Sequence, residues 1–248
     1  MTEKKIKIFG KEIHLTMRNE GDFSIANELF LDHQYRFCDQ AIRNAKNNIV
    51  DIGGHLGFFS LYASLLNPNV PIYSFEPHEG NFELLKINLK NNRVRNVHPK
   101  QVAVSGEVGQ GVLYLSQEDL NHSTVSAIEP TGETQAVQTI TLERIFQKNR
   151  IEKCDLVKMD CEGAEFTILY QTPRAIFDAI ASLFLEYHDG LSEKGDHHSG
   201  SPSTSHPECK PRDLGHTHLQ NHLQEMGFKV ECYPNSRMKN LGFLWCYK

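Results

Sequence analysis

From residue 45 onward, short apolar runs alternate with stretches of helical periodicity, the pattern that an α/β sheet writes into a sequence. Asn48-Ile49-Val50-Asp51-Ile52 is a β-branched run that stops at Gly53-Gly54 and reads as a buried strand. Leu56 to Leu66 carries apolar residues at helical spacing and ends at the turn signal Asn67-Pro68-Asn69. A second strand is predicted over Val70–Phe75, then an amphipathic helix from Glu79 to Asn91, with Phe82, Leu85 and Leu89 on its core-facing stripe. Val97–Val104 reads as a third strand and Val112–Leu115 as a further one. Ile140–Asn149 follows as a helix and Cys154–Met159 as a fourth parallel strand. A segmented helix from Gly163 towards Ile180 precedes a fifth strand, Ser182–Tyr187. The chain closes with a helix near Leu214–Met226 and two runs, Phe228–Tyr233 and Leu241–Tyr247, that can pair as a hairpin around Pro234-Asn235-Ser236.

Two segments stand outside this alternation. Residues 1–45 precede the first strand–helix unit and are expected to pack on the core as a cap, anchored by Phe23, Leu29 and Phe30. Residues 46–248 then form the main domain. Gly190 to Gly215 is rich in Gly, Ser, Pro, His and charge; a stretch of that length and composition inside a compact domain reads as a mobile insertion over a binding site.

Composition narrows the field. The 248 residues are 39% hydrophobic and 23% charged, enough for one large domain with its own core. The net charge of −5 argues against a general nucleic-acid binder, which shows a basic patch. No run reaches the roughly 20 apolar residues of a membrane span, and the first residues do not form a signal peptide. Six cysteines without a Cys-x-x-Cys pair read as free thiols of a reducing compartment, the cytoplasm. Seven of the 13 histidines fall between His188 and His222.

Three motifs carry chemistry. Asp51-Ile52-Gly53-Gly54-His55-Leu56-Gly57 joins a buried strand to a helix through a glycine turn, bringing bare backbone close to a ligand. His55 occupies the second glycine position of the dinucleotide fingerprint, so a pyrophosphate is disfavoured there. Glu76, in Phe75-Glu76-Pro77, ends the second strand roughly 20 residues beyond the turn, the interval at which an acid receives a ribose diol. Lys158-Met159-Asp160-Cys161-Glu162-Gly163-Ala164-Glu165 places three carboxylates at the end of the fourth strand, facing the same crevice.

In this order and over roughly residues 35 to 188, these motifs resemble the FkbM-type methyltransferases, S-adenosylmethionine (SAM)-dependent enzymes of the class I fold. The resemblance implies a Rossmann-like, mostly parallel seven-stranded sheet flanked by helices and ending in an antiparallel hairpin. It implies methylation of an oxygen on a small acceptor: a sugar, a lipid-like molecule or a natural product. Carried over by position, Asp51, Gly53, Gly54 and Gly57 surround the methionine part of the cofactor, Glu76 holds the ribose, Asp160 sits beside the sulfonium, and Glu162 and Glu165 shape the site. The family usually has Asn where this chain has His55, and often Ala where it has Gly54.

Transfer to a hydroxyl benefits from a base. His188, in Glu186-Tyr187-His188-Asp189, is the expected one from its unperturbed pKa near 6.5; Asp160 is its rival. A hard divalent cation on Asp160, Glu186 and His188 is a third arrangement. A structural zinc on His216, His218 and His222 with Cys209 and His206 is a fourth. A nucleotide-cofactor oxidoreductase and a cofactor-binding scaffold without turnover stay open as alternatives, as does the oligomeric state.

Overall fold

The computed structural model describes residues 1–116, 124, 130–189, 215–236, 238 and 240–248. The 190–215 insertion, Gly215 apart, lies outside the described residues. In chain order the elements are β1 (Thr2–Ile8), β2 (Lys11–Met17), α1 (Glu20–Phe30), a 3-10 turn (Arg36–Cys38), α2 (Asp39–Asn44), β3 (Ile49–Ile52), α3 (Phe58–Leu66), β4 (Ile72–Phe75), α4 (Glu79–Asn91), β5 (Val97–Lys100) and β6 (Ala103–Val104). They continue with β7 (Gly109–Ser116), β8 (Pro130–Ile140), α5 (Leu142–Asn149), β9 (Leu156–Met159), α6 (Glu165–Gln171), α7 (Arg174–Asp178), β10 (Ser182–His188), α8 (His216–Glu225), β11 (Lys229–Pro234) and β12 (Leu241–Tyr247).

Seven strands form the central sheet in the order β11-β12-β10-β9-β3-β4-β5. β5, β4, β3, β9 and β10 run parallel, whereas β12 pairs antiparallel with both β10 and β11. Every residue of β3 and β9 is buried, as expected of central parallel strands covered by helices on both faces. The two faces carry separate apolar clusters, one built with α1 to α4 and the other with α5 to α8. Strand order reverses between β3 and β9, so a crevice opens beyond their carboxyl ends.

The expected strand 97–104 is two strands in two sheets. Pro99, which has no amide to donate, sits in β5 at the sheet edge, where its loss is tolerated. The chain then turns, with Val102 N donating to Lys100 O, and β6 joins a separate sheet of order β6-β8-β7. Strand β8 has no counterpart in the sequence reading. Glu133, Thr134, Gln135, Gln138 and Thr139 dilute its apolar alternation, leaving Val137 and Ile140 as its buried apolar residues. On α4 the buried stripe is Leu84, Leu85, Asn88 and Leu89, and Phe82 is half-buried beside it.

The N-terminal segment opens with a β1–β2 hairpin, whose turn residues Phe9 and Gly10 both have positive φ (49° and 77°). Ile13, Leu15 and Met17 of β2 point into the core. The free edge of β2 is satisfied by α4. Asn88 accepts from Thr16 N at 2.7 Å and donates to Thr16 O at 3.2 Å, while Asn92 accepts from His14 N at 2.8 Å and donates to His14 O at 2.7 Å. Asn88 also donates to Leu56 O at 2.9 Å, which ties the hairpin to the glycine turn. Leu29 and Phe30 are buried, and half-buried Phe23 lies under the Lys4 ammonium.

Candidate active site

The turn after β3 is held by backbone geometry. Gly53 (φ 76°) accommodates the neighbouring β9 end, since a Cβ there would stand 1.7 Å from Asp160 O. Gly57 (φ 79°) faces α4 in the same way, with Leu85 Cγ 2.9 Å from where its Cβ would be. Gly53 N and Gly54 N both donate to Phe75 O, at 3.1 and 2.9 Å, binding the turn to the end of β4.

Immediately beyond Phe75, Glu76 is 5% exposed and accepts from His55 N at 2.8 Å and His78 N at 2.9 Å, one to each oxygen. Burial pushes its carboxyl up to about 7, against the lowering effect of those bonds. Glu76, Gly53, Gly54 and His55 all line a cavity of about 700 Å³ at the strand ends, a volume in the ordinary range for a bound small molecule.

Asp51 and Gly57 do not line that cavity. Asp51 is fully buried behind its wall, where Oδ2 accepts from Ser60 Oγ at 2.6 Å and Ser74 Oγ at 3.1 Å. The Lys158 ammonium lies 3.5 Å from Asp51 Oδ1, donates to Gly53 O at 2.9 Å and stands 3.8 Å from Asp160 Oδ2. Burial depresses the lysine, but Asp51 and Asp160 outweigh it and the ammonium keeps its proton. Lys158 is a site residue to which the sequence reading assigned no role; a lysine inside an otherwise apolar strand is the signal that could have found it.

Asp160, Glu162, Glu186 and His188 converge on the other side of the cavity. His188 is 3% exposed and lies between two glutamates, with Nδ1 3.2 Å from Glu165 Oε1 and Nε2 3.2 Å from Glu162 Oε2. The expected pKa near 6.5 is not realised. Burial alone would lower it, but Glu165 and Glu162 drive it up to about 12, so His188 is an imidazolium with both nitrogens occupied and no lone pair for a proton. Burial pushes Glu162 up despite His188, and pushes Glu186 well up with help from Asp160.

The N-terminal segment also lines the cavity, through Ser24, Glu28, Asp32 and Tyr35. These residues carried no sequence motif; only the packing of α1 brings them to the crevice. Val104 and Leu113 of the small sheet add apolar lining.

The described members of the zinc set stay apart. His216 Nδ1 contacts Asp189 Oδ2 at 2.6 Å and its ring stacks on Tyr187, His222 packs against Tyr170 and Phe177, and His218 is exposed. Cys209 and His206 lie outside the described residues. Among the described residues, the set with ligand atoms close enough to share an ion is Asp160, Glu186 and His188, all within 4.8 Å of one another.

A sheet with this strand order, a glycine turn after its first parallel strand and an acid ending the next defines a class I SAM-dependent methyltransferase. The fold is shared by the methyltransferase SMU.1697c of Streptococcus mutans in complex with SAH (S-adenosylhomocysteine), with a TM-score of 0.51 and 11% identity, covering 88% of this chain and 97% of that one. The chain belongs to the FkbM methyltransferase family, whose domain model, Methyltransferase FkbM domain, matches residues 51–230. Methyltransferase 1 of Beauveria bassiana is 27% identical over 191 residues, 69% of this chain and 74% of that protein. The 31-O-demethyl-FK506 methyltransferase FkbM of Streptomyces tacrolimicus is 24% identical over 192 residues, 65% of this chain and 73% of its own length. The oxidoreductase alternative is set aside by this membership. No helix among the described residues is long and apolar enough to cross a membrane.

Proposed function

We propose that the protein transfers the methyl group of SAM to a hydroxyl oxygen of a small molecule. Glu76 receives the ribose diol, the adenine lies against Val104 and Leu113, and the backbone of Gly53 and Gly54 faces the methionine part. Asp51 acts indirectly, holding Lys158 under the turn. The observation that carries the reading is the cluster of Asp160, Glu162, Glu186 and His188 lining the same cavity as Glu76 and the glycine turn.

Methyl transfer from a sulfonium is a direct displacement, so alignment and exclusion of water do most of the work. An oxygen acceptor must also lose a proton. Asp160 faces the sulfonium and is the proposed proton acceptor. His188, held as a cation by two glutamates, stabilises negative charge developing on the acceptor oxygen instead of taking its proton. The acceptor rests on the wall supplied by α1 and Tyr35, which gives residues 1–45 a part in selecting it. The free thiols at Cys38, Cys154, Cys161, Cys232 and Cys246 suit a reducing compartment such as the cytoplasm.

Calorimetry with SAM and SAH tests the cofactor, and mass spectrometry of a panel of hydroxylated acceptors tests the product. Asp160→Asn is expected to slow transfer roughly 100-fold or more and to weaken SAM more than SAH, because only SAM carries the sulfonium charge. Methyl appearing on nitrogen or carbon, or an Asp160→Asn enzyme with full activity, contradicts the proposal. A scaffold without turnover would bind SAM and methylate nothing.

A further inference from the structure

Tyr35 lies between α1 and the 3-10 turn, with its ring wedged between Phe59 of α3 and Phe184 of β10, each ring centroid 5.3 Å away. Its carbonyl accepts from Cys38 N at 2.9 Å, and Cys38 is fully buried, so backbone and ring are both anchored. That wedge needs only a phenyl ring; the hydroxyl has no packing task in it. Tyr62, Tyr233 and Tyr247 each donate their hydroxyl to a carboxylate. The Tyr35 hydroxyl makes no hydrogen bond with any described residue, and its oxygen is not enclosed by them. A phenol set among apolar rings normally finds a partner, and the open space beside this one is the cavity that Tyr35 lines together with Asp160 and Glu186.

We propose that Tyr35 orients the acceptor and selects an oxygen nucleophile, donating a hydrogen bond to the acceptor oxygen while Asp160 takes the proton of that oxygen. The inference rests on the methyl-transfer reading above and gives the site a physical preference for oxygen over nitrogen.

Lone pairs decide the preference. A hydroxyl oxygen carries one proton and two lone pairs. The proton passes to Asp160, one lone pair attacks the methyl carbon, and the second is left to accept from Tyr35. The oxygen–methyl bond forms as the sulfonium–methyl bond breaks, SAH and the methyl ether remain, and Tyr35 keeps its own proton. A neutral amine has a single lone pair. Spent on the methyl, it leaves the phenol without a partner, which a site built around a hydrogen bond penalises. The phenol is suited to donate, because burial and then the charges of Asp160 and Glu186 push its ionisation well above the ordinary range. Its bond to the oxygen strengthens as negative charge grows there, so it favours the transition state over the ground state. His188 acts on the same oxygen through its charge alone, since Glu162 and Glu165 hold its two nitrogens.

The test uses the full chain, SAM and the hydroxylated acceptor of the panel that the wild type turns over fastest. Tyr35→Phe keeps the ring and should lower kcat by at least about tenfold, with a smaller change in KM. SAH affinity by calorimetry and the melting temperature should stay at their wild-type values. The amino analogue of the same acceptor, assayed at a pH where it is neutral, should be methylated no faster by the wild type than by the variant. Full activity of Tyr35→Phe on the hydroxyl overturns the inference and leaves the methyltransferase reading standing. A wild-type advantage of equal size on the amine also overturns it, because the phenol then does not distinguish oxygen. So does a loss of activity that comes with weaker SAH binding or a lower melting temperature, the signature of a packing role. SAH binding with no acceptor methylated overturns the reading on which the inference rests.

Discussion

Glu76 combines a structural role with the ribose-binding role proposed for it. Bonds from His55 N and His78 N fasten it across the ends of β3 and β4, the Asn81 side chain adds a third hydrogen bond, and the residue lines the cavity. Its pKa is raised to about 7, so the sign is definite. The folded protein binds this proton more tightly than the unfolded chain, and the corresponding stability is present below about 4.5 and lost as pH rises through 7. Ribose hydroxyls donate to the ionised form, so SAH affinity should climb between pH 6 and 8, whereas a Glu76→Ala protein should bind weakly at both. Calorimetry across that range checks it; a flat profile in the wild type contradicts the assignment. Lys158 makes a second prediction. Lys158→Met leaves Asp51 buried without its cation and should cost about 3–5 kcal/mol in urea unfolding, with much of the loss recovered when Asp51→Asn is added. Glu76 was legible because its interval from the glycine turn has a chemical meaning. The state of His188 was not, because it depends on Glu162 and Glu165, whose contact with β10 only the packing of α6 decides.

At the scale of elements, the strand–helix alternation was readable wherever burial was complete. β3, β4, β9 and β10 are short, predominantly apolar and almost wholly buried runs, and α4 has the same limits as its predicted range. Elements with one solvated face were harder. β8 is mostly polar along its length, and β1–β2 draw their stability from partners more than 70 residues away, among them Asn88 and Asn92 on α4. No local pattern announces an asparagine that serves a distant strand edge. Asn88→Leu should therefore destabilise the protein by roughly 1–3 kcal/mol for each backbone group it strands. It should also raise hydrogen exchange at Thr16 well before exchange in β3. Unchanged protection at Thr16 would show that the edge needs no such partner. Gly53→Ala should fail to fold or lose several kcal/mol, since β9 cannot retreat from a Cβ set against its backbone.

Taken whole, the molecule places its chemistry where an open α/β sheet must place it, at the carboxyl ends of strands either side of the order reversal. The sequence motifs supply the floor and one corner of the crevice. Further lining comes from α1 and Tyr35, residues that resemble a simple cap when read along the chain. That division explains why the cofactor class could be read from the sequence and the acceptor could not: the proposed cofactor residues belong to motifs at strand ends, while the wall proposed for the acceptor is assembled only by tertiary packing. The most direct test of the account is a crystal structure of the full chain with SAH. Expected are ribose hydroxyls within about 2.6–3.2 Å of Glu76, the adenine against Val104 and Leu113, and the sulfur turned towards Asp160 and His188. SAH lying elsewhere, or with its sulfur turned away from that corner, would contradict it.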